Sequence, residues 1–243
     1  MNKICKLSAI ALLASSTSLM AQSKSFEGVS LGLTVSGIGA EVSGSSTQAG
    51  NTPNTGNGNR ANGSLGKVTE IAAIDLSYGY AIGNNGIIQV GASYTPGKAK
   101  AGSGTYTDGT TNAGATNLNA GTGNISLEVK DPYTIYIAPT YVVSKDSAIY
   151  AKIGYAKAEI NTAATGGASL SKKPGDLEGV SYGIGSKTML TQNLYLGVEA
   201  NITDYDAISA TTLTNAGNGG TASKRVTADV QTVQGMITLG YRF

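Results

Sequence analysis

The chain has 243 residues, of which 34 are Gly, and only 13% are charged, for a formal net charge of +2. Charge at about half the usual ~25% is too sparse to clothe a water-facing domain of this size, so part of the surface faces something other than water or part of the chain is unfolded. The sequence contains no His, which excludes Ser-His-Asp triads, imidazole bases and His metal sites.

Residues 1–21 read as a secretory signal peptide. Lys3 and Lys6 form a basic start, Leu7 to Met20 an apolar run, and Ala21 a small residue at a cleavage position. That run is too short for a spanning helix, which needs about 20 residues. Cys5, the only cysteine, precedes it, so the remaining domain, 22–243, has no disulfide and no thiolate chemistry. Of the 17 basic residues two lie in the signal segment, and the 15 that remain balance 15 acidic ones. No basic stripe or acidic tail points to nucleic acid.

Beyond the signal segment, apolar residues recur at period two in eight runs: 28–40, 68–81, 87–95, 126–143, 148–159, 179–189, 194–205 and 225–243. Typical rows are Val29, Leu31, Leu33 and Val35 in the first run and Leu194, Leu196, Val198, Ala200 and Ile202 in the seventh. This is the period of strands with one apolar face, each long enough to cross a bilayer at a tilt. The connections alternate in length. Ile82 to Gly86, Ser144 to Ser147 and Leu190 to Asn193 are tight hairpin turns. The others, 41–67, 96–125, 160–178 and 206–224, are long and rich in Gly, Asn, Thr, Ser and Ala. Strict alternation puts every long loop at one end of an up-and-down meander and every short turn at the other. Short periplasmic turns and long extracellular loops are the asymmetry of outer-membrane barrels.

Opposite the apolar rows lie mainly Gly, Ser, Thr, Ala and Tyr, with Asp75, Lys152, Lys187, Glu199 and Arg242 as the charges. Small polar residues suit a narrow lumen, and the apolar rows then face lipid, where a midplane Arg or Lys costs about 2–4 kcal/mol. The five charges are expected to meet in the lumen as a structural plug. Tyr80, Tyr141, Tyr241 and Phe243 fall near the short turns, and Tyr94, Tyr133, Tyr155 and Tyr205 near the long loops, as two interfacial girdles. Ile237, Leu239, Tyr241 and Phe243 share the apolar face of the last run.

The stretch YGIGSKTMLTQNLYLGVEANITDYD (182–206) and the closing QGMITLGYRF resemble the small eight-stranded outer-membrane barrels of the OmpA, OmpX and opacity-protein group. The resemblance implies an all-β, eight-stranded antiparallel barrel with four extracellular loops, and a C-terminal strand read by the barrel-assembly machinery. It also implies lipid and lipopolysaccharide as surroundings, export through the periplasm, and no cofactor or metal. Outer-membrane enzymes similar in build use an active-site His, so a non-enzymatic role in the envelope or in surface interaction is expected, with an unidentified host or cell-surface ligand. The alternatives are a narrow channel for small solutes and a soluble lipocalin-like periplasmic barrel. Pro139 departs from the pattern because it removes a ladder donor, and it predicts a bulge or local disorder near the short-turn end of its strand.

Overall fold

Period-two rows with β-branched and aromatic residues fold as long strands because each residue on one side of the pleat faces its neighbours' apolar side chains. The computed structural model describes residues 23–49, 67–107, 122–165, 169–172, 175–216 and 220–243. The expected signal peptide lies outside them. After a short 3₁₀ turn at Ser23–Phe26, the strands are β1 (Gly28–Ala49), β2 (Lys67–Ile82), β3 (Gly86–Tyr94), β4 (Lys98–Thr107) and β5 (Thr122–Ser144). They continue with β6 (Ser147–Thr165), β7 (Ser169–Lys172), β8 (Leu177–Met189), β9 (Leu194–Ala216) and β10 (Gly220–Arg242). Among the described residues no helix is long and apolar enough to cross a membrane.

Eight of these strands form one antiparallel ring in the order β10-β1-β2-β3-β5-β6-β8-β9, which closes where β9 pairs β10. The short β4 continues the line of β3 along β5, and β7 continues that of β8 along β9. Following paired residues once round the ring gives Tyr78–Val90–Ile137–Ile153–Tyr182–Ile202–Val233–Gly39–Val68, which returns to β2 ten residues from its start (78 to 68). This stagger fixes the strand tilt, and eight strands at that tilt leave an interior that side chains can fill.

The burial pattern is inside out. Leu33, Val35, Ile184 and Ile237 are more than half exposed on the outer face, while Ser30, Thr34, Ser77, Ser181 and Thr203 are buried on the inner one. A soluble barrel does the reverse, so the lipocalin-like alternative does not describe this molecule.

Two expectations are adjusted. The wall runs well into the segments expected as long loops: β1 extends to Ala49, β5 starts at Thr122, β6 reaches Thr165, and β9 and β10 stay paired out to Ala216 and Gly220. Thr, Ser and Ala tolerate a pleated, solvated surface, so the ladder continues without an apolar face. At Pro139 there is no bulge. The β5–β6 ladder lapses at Ala138 and Pro139 and resumes in the same register, while the β3 side stays paired through Ile88↔Pro139. The β5–β6 register does shift at the short-turn end, where a bulge is expected, but at Val142/Ser144, and it shifts again at Lys130/Tyr133.

Candidate functional site

Strand parity turns one set of side chains into the lumen, and the middle of that lumen is polar. Lys152 and Glu199, on β6 and β9, form an ion pair whose side chains are 8% and 10% exposed. Tyr150 donates its hydroxyl proton to Glu199 Oε2 at 2.8 Å. Asn201 bonds the other carboxylate oxygen at 3.4 Å and accepts from Ser181 and Thr203. Asp75, on β2, accepts from the Tyr136 hydroxyl at 2.9 and 2.8 Å. Lys187, on β8, donates to Gln89 Oε1 at 2.9 Å, and Gln89 Nε2 donates to Ser77. Both ammonium groups also lie over aromatic rings: Lys152 is 4.8 Å from Tyr136, and Lys187 is 5.1 Å from Tyr195 and 5.6 Å from Tyr150. Four of the five expected lumen charges therefore share one network. The cavity left among them measures about 70 Å³.

The tyrosines that build this network carry no signal in the apolar rows, because they sit on the polar parity. Their trace in the sequence is glycine. Each is cross-strand paired with an inward Gly: Tyr136 with Gly91, Tyr150 with Gly185 and Tyr195 with Gly240. A Cβ on those glycines would stand 2.6, 2.5 and 2.2 Å from the ring. The glycines are thus the seats of the aromatic plates that cross the lumen.

Apolar clusters bound the polar layer at both ends. At the short-turn end Phe26 packs on Ile87, Val142 and Ala148. Ser23 anchors the segment before it, through its amide to Asn84 O and its hydroxyl to Gly83 O, both at 3.2 Å. Gly28, at φ +104°, turns the chain from this segment into β1. At the other end Ala158, Leu177 and Val230 are buried, with Val129, Ile160, Tyr205 and Ile208 packed against them.

Arg242 does not join the four other charges. Its guanidinium donates to the carbonyls of Lys24, Glu27 and Gln192 at 2.9, 3.1 and 3.0 Å, tying the N-terminal segment and a turn to the closing strand. At the end of β10, it lies below the mid-strand level of Lys152 and Glu199. Tyr205 also departs from its expected place. It shares the inward parity of Glu199 and Thr203 and packs in the upper apolar cluster, so it is not part of an outer girdle. Tyr80, Tyr94, Tyr133, Tyr141 and Tyr155 do face outward, all more than a third exposed. Ile237, Leu239, Tyr241 and Phe243 are exposed on the outer face of β10, with the Tyr241 and Phe243 rings edge-on at 5.1 Å.

Beyond the tyrosines of the long-loop end, the outer face becomes ionic. Lys130 pairs with Glu159 at 2.9 Å and Asp131 at 3.2 Å, and Lys157 pairs with Glu178 at 2.9 Å and Asp176 at 3.4 Å. Such exposed pairs add little stability, but they mark where the surface turns to water. The Gly97 amide and the Lys130 ammonium hold the Asp131 carboxyl below the usual carboxylate range. Among the described residues no three potential metal ligands gather.

The outer membrane protein beta-barrel domain family matches residues 9–243. No curated protein sequence matches the chain. Among solved structures, OprG of Pseudomonas aeruginosa is 16% identical with a TM-score of 0.50, over 89% of this chain and 97% of that one. The outer membrane protease OmpT of Escherichia coli is 9% identical at 0.46, over 88% and 96%, and the attachment invasion locus protein Ail of Yersinia pestis is 14% identical at 0.40, over 89% and 99%. At these identities the likeness is one of fold. Inverted burial, a closed ring of eight tilted strands and a match over nearly the whole length agree: the chain belongs to the outer membrane protein beta-barrel domain family, and its place is the bacterial outer membrane.

Proposed function

We propose that this is a non-enzymatic barrel with a closed lumen, whose role is to carry β-hairpins beyond the membrane for contact with other surfaces. The observation that supports it most is the layered lumen. An apolar cluster with Phe26 shuts the periplasmic end, a cross-linked layer of Lys152, Glu199, Asp75 and Lys187 with three tyrosines fills the middle, and a second apolar cluster covers the outer end. A solute channel needs a continuous water column, and this sequence of layers interrupts one three times. The wall continuing above the outward tyrosines, most of all β9–β10, paired to Ala216 and Gly220 with one register shift at Ala228/Val230, supplies a stalk for whatever lies at the tips. Hairpin segments rich in Thr, Ser, Ala and Asn carry few aromatic or Arg anchors, chiefly Arg60, Tyr106 and Arg225, so contacts made there are weak singly and effective in numbers.

The experiment is to excise residues 209–227 and join the stumps of β9 and β10 by a two-residue turn. The shortened protein is expected to keep its heat-modifiable migration on SDS gels, while adherence of expressing cells to epithelial monolayers and to one another drops several-fold. Unchanged adherence with an intact barrel would overturn the surface role.

A further inference from the structure

Below the Lys152–Glu199 layer lies a second, smaller cavity of about 20 Å³, lined by Lys187, Arg242, Tyr195, Ser30, Gln89 and Phe26 among others. Two of these side chains are cations, and no carboxylate lines the cavity. Lys187 has Gln89 Oε1 as its acceptor and makes no ion pair among the described residues. Tyr195 is 3% exposed, and its hydroxyl is buried without a hydrogen-bond partner. Arg242 Nε is likewise buried and unpartnered, although Nη1 donates to two carbonyls and Nη2 to one. Orphaned buried donors are rare because each forfeits its hydration. Here two of them line one cavity with an ammonium that has donors to spare.

We infer that this cavity is a binding site for one small monovalent anion of halide size, held by Lys187, Arg242 and the Tyr195 hydroxyl. The volume accepts a single atom-sized guest, a water or a halide. Charge decides between them. Deeper in the lumen Lys152 is balanced by Glu199, and Asp75, held by Tyr136, is the main counter-charge of Lys187, which leaves the Arg242 charge without a carboxylate partner among the described residues. A water supplies a hydrogen-bond acceptor but neutralises nothing. A halide does both, with Lys187, Arg242 and the Tyr195 hydroxyl as its donors. Phe26 and the Ser23–Phe26 turn cover the cavity from the periplasmic side, so exchange is slow and the ion is structural.

The probe is bromide. Thermal unfolding of the detergent-solubilised full barrel is followed at fixed ionic strength as sodium bromide replaces sodium gluconate, whose anion is too large to enter. The midpoint is expected to rise saturably, by about 3–5 °C at a tenfold excess over half-saturation. Tyr195→Phe is expected to weaken that dependence at least tenfold. A midpoint that does not respond, or a linear salt response shared by Tyr195→Phe, would overturn the site. Should the variant fail to assemble, anomalous scattering from bromide-grown crystals of the unaltered protein decides: a bromine peak between Lys187 and Arg242 supports the inference, and a water or empty density there contradicts it.

Discussion

Glu199→Gln is expected to destabilise the barrel more than any other volume-conserving change in the lumen. Glu199 Oε1 pairs Lys152, Oε2 accepts a hydrogen bond from the Tyr150 hydroxyl, and Asn201 closes the set, with the Lys152 and Glu199 side chains 8% and 10% exposed. Gln keeps the shape and an acceptor for Tyr150, but it leaves the Lys152 ammonium unpaired in a water-poor interior. Removing one partner of a buried pair costs about 3–5 kcal/mol, which in a chain of this length lowers the unfolding midpoint by about 10 °C. The double change Lys152→Met with Glu199→Gln removes both charges and is expected to regain most of the loss. Heat-modifiable migration against temperature measures it. A single variant that melts with the unaltered protein would show that the ion pair is not buried as described.

Gly240→Ala is expected to reduce assembled barrel to a small fraction of normal. The new Cβ would stand 2.2 Å from Tyr195 Cζ and 2.4 Å from its hydroxyl oxygen. The ring is only 3% exposed and shut in, so it cannot swing aside without displacing its neighbours. Pairing the change with Tyr195→Ala removes the obstruction and is expected to restore assembly. Gly235→Ala, five residues earlier on the outer face with nothing within 4 Å of the added carbon, is the control and is expected to assemble normally. Quantifying folded protein in outer-membrane fractions checks all three. Normal assembly of Gly240→Ala alone would mean that the Tyr195–Gly240 seat is not tight.

The barrel was legible because lipid imposes a stronger pattern than water does. Rows such as Val29–Val35 and Leu194–Ile202 must be apolar over a full crossing, and the alternation of long and short connections gives the closure order. What the period-two reading misplaced lies where strand physics gives way to local chemistry. Residue type alone places Tyr205 in an interfacial girdle, although its odd number puts it on the parity of Glu199, inside. Arg242 has inward parity but sits at the end of β10, level with the turns, and depth along a strand cannot be judged without the stagger between strands. The strands' continuation past the membrane is invisible because Thr-, Ser- and Ala-rich segments carry no apolar alternation to read. The lumen tyrosines were unread for a further reason. Their partners are glycines on neighbouring strands, a relation that exists only once the register is known.

The central claim is that the lumen is closed, and planar-bilayer recording of the purified, refolded protein tests it most directly. A quiet baseline at moderate voltage, with no stable steps, is expected because three layers interrupt the water path. Reproducible, long-lived openings of porin size from the unaltered protein would contradict it and move the chain to the transport class.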